Sequence, residues 1–133
     1  MMIRIGLIAI GALYVLNGLR MLATPEAWYE SVPGVSHTGP FNEHFVRDIA
    51  FAYLASGAAT WAAVRDGAHR AVSAAAGATW PALHAAFHVT GWFAHGLPAD
   101  AVGLALEIGG VLIPAVLGAW IAGHLLTTAR GIA

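Results

Sequence analysis

Four apolar stretches, each of about twenty residues, leave this chain few folds to choose from. They run over residues 3–23 (IRIGLIAIGALYVLNGLRMLA), 44–64 (HFVRDIAFAYLASGAATWAAV), 71–94 (AVSAAAGATWPALHAAFHVTGWFA) and 101–126 (AVGLALEIGGVLIPAVLGAWIAGHLL). At 1.5 Å rise per residue a helix of ~20 residues crosses a bilayer, and each stretch reaches that length. The apolar residues do not alternate as a transmembrane β-strand requires. The expected fold is all-α, a transmembrane four-helix bundle running up-down-up-down, in one integral membrane domain spanning 1–133.

Composition supports this. The chain is 59% hydrophobic and 10% charged, against roughly 25% charged in a soluble domain. Cysteine is absent, which excludes disulfides, thiolate metal sites and thiol redox chemistry. Six arginines balance seven acids, so nucleic acid is not an expected partner. The lipid bilayer is, together with a membrane-protein partner or a second copy of the chain. The first segment reads as a span and not as a cleaved signal peptide, because Asn17 and Arg20 interrupt the place of a cleavage site.

Arg4, Arg65, Arg70 and Arg130 flank one side of the spans, whereas Arg20 and Arg47 lie at the other. By the positive-inside rule both termini and the 65–70 turn are cytoplasmic. Of the seven acids, only Asp66 falls on that side. The long outer connection contains TPEAWYESVPG, where Thr24 can cap, Pro25 suits the first helical position and Pro33-Gly34 stops the helix. A short interfacial helix is expected, anchored by Trp28 and Tyr29. Residues 65–70 and 95–100 are expected to be tight turns. Gly110, Pro114, Gly118 and Ala122, and likewise Ala55, Ala59 and Ala63, recur at four-residue intervals that suit close helix approach. Pro81 and Pro114 are expected to bend their helices.

The second span is apolar without interruption only over 49–64, about 24 Å of helix. It must extend backwards through Asp48, Arg47 and His44, which share the outer boundary. His44 and Asp48 lie on one face at i,i+4, as do His84 and His88 in the third span. Counting from the outer ends, Asp48 lies about 6 Å deep, His88 and Glu107 about 9 Å, and His84 about 15 Å. Asn17, Arg20 and Trp92 fall near the same level. Ionisable residues in lipid cost ~2.5–3.5 kcal/mol each and usually face a partner inside the bundle. A common depth therefore predicts one polar pocket of His44, Arg47, Asp48, His84, His88 and Glu107, with Asn17, Arg20 and Trp92 around it.

Three uses of such a pocket stand side by side. His44, Asp48, His84, His88 and Glu107 offer the nitrogen and oxygen ligands of a metal ion, although too few carboxylates lie at depth for a ferritin-like di-iron site. A bis-histidine haem would need His44 or His95 opposite His88. A quinone-like guest could take hydrogen bonds from histidines whose ordinary pKa lies near neutrality. Finally, arginine–carboxylate pairs and neutral histidines could form a network that only holds the bundle in register. A proton conduit lacks a matching chain of ionisable groups in the inner half. His37, His69 and His124 read as loop or edge residues. Trp61, Trp80 and Trp120 read as core or belt aromatics.

The arginine ending span 1, the polar start GPFNEHFVRD of span 2, the histidines of span 3 and ALEIGG in span 4 together resemble the DoxX-like group of small bacterial membrane proteins. The resemblance covers nearly the whole chain as architecture. It implies a polar-cored bundle in the bacterial cytoplasmic membrane that touches quinone within a membrane redox system, or an accessory subunit of a larger complex. Some members of that group are associated with quinone-linked oxidation of thiosulfate beside another protein; no thiosulfate-specific signature is present here, and without cysteine any sulfur-carrier role falls to a partner.

Overall fold

The computed structural model describes residues 1–37 and 39–130; the side chains of His37 and Arg130, and with them one arginine of the charge-sorting expectation, lie outside the described residues. Among the described residues every regular element is helical. Helix α1 spans Met2–Ala23, α2 Pro25–Ser31, α3 Glu43–Ala62, α4 Arg70–His95, α5 Ala101–Leu106 and α6 Ile113–Arg130. A single 3-10 turn lies at Val35–His37, and a π-helical segment at Glu107–Leu112 joins α5 to α6.

The helix ends follow local chemistry. Asn42 caps α3 by accepting from the Phe45 amide at 3.1 Å, so the helix does reach back through Asp48, Arg47 and His44. Asp100 caps α5 in the same way, accepting from Gly103 N at 2.7 Å. Gly96 closes α4 at φ 88°, a backbone that favours glycine. The short helix after α1 forms with Pro25 in its first turn, but Thr24 does not cap it; its hydroxyl donates back to Arg20 O at 3.2 Å. Pro81 sits inside α4, which remains one continuous helix. Pro114 follows the π segment. A proline has no N–H for the carbonyl four residues back, and a widened turn before it lets the backbone pair otherwise.

The core is built from close helix approach. Gly11 lies under the indole of Trp61, Gly18 beside Ala50 and Leu54, and Gly57 against Val15, so α1 and α3 touch backbone to backbone in opposite directions. Gly77 meets Thr60 and Ser56 across the α3–α4 contact. Helix α6 packs on α4, with Gly118 facing the methyl of Ala78 at 3.8 Å, and reaches α1 where Ile121 meets Gly6. Leu7, Ile10, Tyr14, Met21, Val46, Ala50, Tyr53 and Ile121 are buried among them. Of the expected alanine stripe of α3, Ala63 is buried and Ala59 half-buried, whereas Ala55 is exposed. The buried stripe is Val46, Ala50, Tyr53, Gly57 and Thr60. In α6, Pro114 and Ala122 are buried as expected, whereas Gly110 faces open space.

Two helical stretches, Met2–Ala23 and Ala101–Ala129, are long and apolar enough to cross a membrane, with mean hydropathies of 1.8 and 2.0. Helices α3 and α4 do not join them; α3 begins with Glu43, Arg47 and Asp48. At the end of the fold that carries Arg4, Asp66 bonds Arg4 with one carboxylate oxygen and Arg70 with the other, the latter at 2.7 Å. Arg70 also donates to Ala63 O at 3.1 Å. This tie joins the start of α1 to the α3–α4 turn.

Candidate functional site

Helix α4 buries Ala71, Ala74, Gly77, Ala78, Pro81 and Ala85 at three- and four-residue steps. The same stripe continues through His84, His88 and Trp92, which therefore point toward α3 and the π segment. There Glu107, the first residue of the π segment, meets them. The Trp92 indole N–H donates to Oε2 of Glu107, and Nδ1 of His88 stands 3.5 Å from Oε1. Both side chains of the His88–Glu107 pair are about a quarter exposed.

Rings extend the site inward. His88 meets His84 edge to face at 4.7 Å between centroids. His84 stacks on Trp80 at 4.9 Å with the planes 10° apart. Trp80 in turn meets Tyr53 at 4.8 Å, and Tyr53 meets Tyr14 at 5.8 Å. The three helices α1, α3 and α4 thus contribute to one continuous file of rings. Tyr14, Tyr53, Trp80, Pro81, His84, Gly110 and Val111 line a slot that is too narrow for a water-sized guest. Beside it, a side chain added at Gly91, Gly109 or Gly110 would meet nothing within 4 Å. The glycines thus leave the flank of Glu107 open.

The single pocket expected from depth divides into three places. His84, His88, Trp92 and Glu107 come together. His44 and Asp48 do not join them: they pair with each other at 3.3 Å on the surface, where the His44 side chain is 88% exposed. Arg47 pairs with Glu43 at 2.8 Å, also at the surface. Arg20 donates to the Ser31 hydroxyl at 2.6 Å, and Asn17 accepts from the Trp28 indole at 3.0 Å, so both secure α2 to α1. Trp28 is accordingly partly buried and packed against the core.

The physical reason is angular. His44 stands two residues before the buried Val46, and Asp48 two residues before the buried Ala50, each about 200° round the helix, and so both face away from the bundle. Among the described residues no three of His, Asp and Glu are grouped to hold a metal ion. The expected ligand set of His44, Asp48, His84, His88 and Glu107 is therefore not assembled among the described residues.

Tyr14 and Tyr53 were not singled out by the sequence, and Trp80 was read only as a core aromatic. One signal could have found them. Trp80, His84 and His88 repeat at four-residue steps on the face that continues from Gly77.

The chain matches no protein-family model, no curated protein and no solved structure.

Proposed function

We propose that this chain is an integral membrane protein of the bacterial cytoplasmic membrane. It forms an up-down-up-down four-helix bundle of the DoxX-like kind, with both termini cytoplasmic and α2 at the outer interface. Exposure of its apolar helices supports the reading. Only 28% of the apolar window of α1 and 17% of that of the last helix is buried, whereas the core helix of a soluble protein hides most of its surface. Exposed Leu83, Phe87, Phe93, Val102, Ile113 and Val116 extend the same greasy surface over α4, α5 and α6.

Within that bundle we assign the His88–Glu107–Trp92 cluster as the binding site of a flat, quinone-like guest in a membrane redox system. The observation that carries this is the pairing of Glu107 with both Trp92 and His88 beside the open flank of Gly109 and Gly110. An imidazole backed by a carboxylate can donate a hydrogen bond to a guest carbonyl and take or return its proton. Tyr53, Trp80 and His84 are packed on one another and back His88 from the inner side, holding its ring toward the guest. Because the inner slot is closed, the guest lies along the Gly109–Gly110 flank and enters sideways from lipid. Quinone is preferred to a metal because the histidines and carboxylates are not gathered as ligands.

A second reading has its own support. The ring file is tightly filled and no buried side-chain nitrogen or oxygen among the described residues lacks a partner, as suits an accessory subunit whose polar groups are structural. Extraction of quinone from protein purified in mild detergent separates the two. Near-stoichiometric quinone, lost in His88→Gln and Glu107→Gln, is the expected result. Absence of quinone, with no response of thermal unfolding to added ubiquinone or menaquinone, leaves only the accessory role.

A further inference from the structure

We infer that the Arg4–Asp66–Arg70 cluster, at the end of the fold opposite Glu107, is a binding site for the phosphate group of an anionic lipid. This inference rests on the membrane placement argued above, though not on the guest site. Asp66 uses one oxygen for each guanidinium and so holds two arginines from different helices side by side. Nε and Nη1 of Arg4 and Nη2 of Arg70 remain without a hydrogen-bond partner among the described residues. These donors border an open basin of about 620 Å³ lined by Met1, Met2, Ile3, Arg4, Asp66 and Arg70.

Three properties of the basin select the ligand. The side chains of its two arginines and one aspartate sum to an excess of positive charge, which attracts a phosphodiester. Guanidinium groups present planar donor pairs that match phosphate oxygens, and charge-assisted bonds of this type are the stronger ones. Met1, Met2 and Ile3 supply an apolar wall beside the charge, and Met1 and Met2 are almost wholly exposed. A free inorganic phosphate would have no use for that wall, whereas the glycerol and first acyl carbons of a lipid would cover it. Exposed Arg65 stands one residue from Asp66 and adds to the attraction. Each arginine near a membrane surface contributes about 1 kcal/mol toward anionic lipid.

The test follows thermal unfolding of the full chain in neutral detergent as phosphatidylglycerol is added, with phosphatidylcholine and inorganic phosphate as comparison arms. Phosphatidylglycerol should raise the midpoint saturably, and the other two should not. Arg4→Gln and Arg70→Gln should each weaken the apparent affinity about fivefold, the equivalent of that 1 kcal/mol. Arg20→Gln, an equal charge change at the opposite end, should leave it unchanged. Asp66→Asn makes the cluster more positive but frees the two guanidiniums from the carboxylate that sets them side by side, so it should weaken the response to phosphatidylglycerol, the opposite of what bulk charge attraction would give. This variant decides the matter if a glutamine variant fails to fold.

Equal responses to the two lipids, or no change in Arg4→Gln, Arg70→Gln and Asp66→Asn, would overturn the inference. An inorganic phosphate response matching that of the lipid would overturn its lipid part. Loss of quinone binding in His88→Gln with an intact phosphatidylglycerol response would count against neither, because the two sites lie at opposite ends. Recovery of the chain as a soluble protein without detergent would remove the membrane placement and this site together.

Discussion

Trp92 on α4 and Glu107 on the π segment are joined by a hydrogen bond from indole to carboxylate, fifteen residues apart in sequence. That bond fixes how the π segment meets α4 at the level of His88. Trp92→Phe keeps an aromatic ring, smaller than the indole, and removes the donor. The expected loss is about 1–3 kcal/mol of stability, the range for a hydrogen bond to a charged group or an acceptor left short of a partner. Denaturant or thermal unfolding in detergent measures it, and a change below a few tenths would show the bond to be dispensable.

Gly11 and Gly123 should respond oppositely to alanine. A methyl on Gly11 would run into the Trp61 indole, which itself donates to Ile8 O at 3.2 Å. Gly11→Ala should therefore destabilise the α1–α3 contact by about 1–3 kcal/mol, as overpacking does. Gly123 lies inside α6 with open space around it. Gly123→Ala should stabilise by up to about 1 kcal/mol through helix propensity. Paired unfolding curves settle both signs at once.

His44→Ala and Asp48→Ala should shift stability by no more than about 0.5 kcal/mol, the usual range for surface positions. They should also leave quinone recovery unchanged, because their mutual pair faces away from the ring file. Loss of quinone in either variant would mean that these residues reach the site.

Asp100→Ala removes the side chain that caps α5. A cost of about 0.5–2 kcal/mol is expected, with greater hydrogen exchange in the first turn of α5 than in α1 or α3. Uniform exchange across all the helices would indicate that the cap does not act locally.

Much of this protein is legible without coordinates. Apolar length set where the long helices run, and Pro25 marks the start of the short one, whereas the caps Asn42, Asp100 and Gly96 came with the structure. Partnership was harder to read. Depth along a helix follows from counting residues at a fixed rise, and it aligned Asp48, His84, His88 and Glu107. Facing direction follows from which stripe a neighbour covers, and that stripe in α3 is fixed by Gly11, Gly18 and Gly57 bringing α1 close.

Chain order alone therefore located the long helical stretches to within a few residues, since these depend on residues close in sequence, but not the π segment at Glu107–Leu112 that divides the last of them. Only tertiary packing decided that His84, His88, Trp92 and Glu107 meet while His44, Arg47 and Asp48 turn outward. A helix offers every residue a height from its own sequence, but which side is inside depends on the surface of another helix.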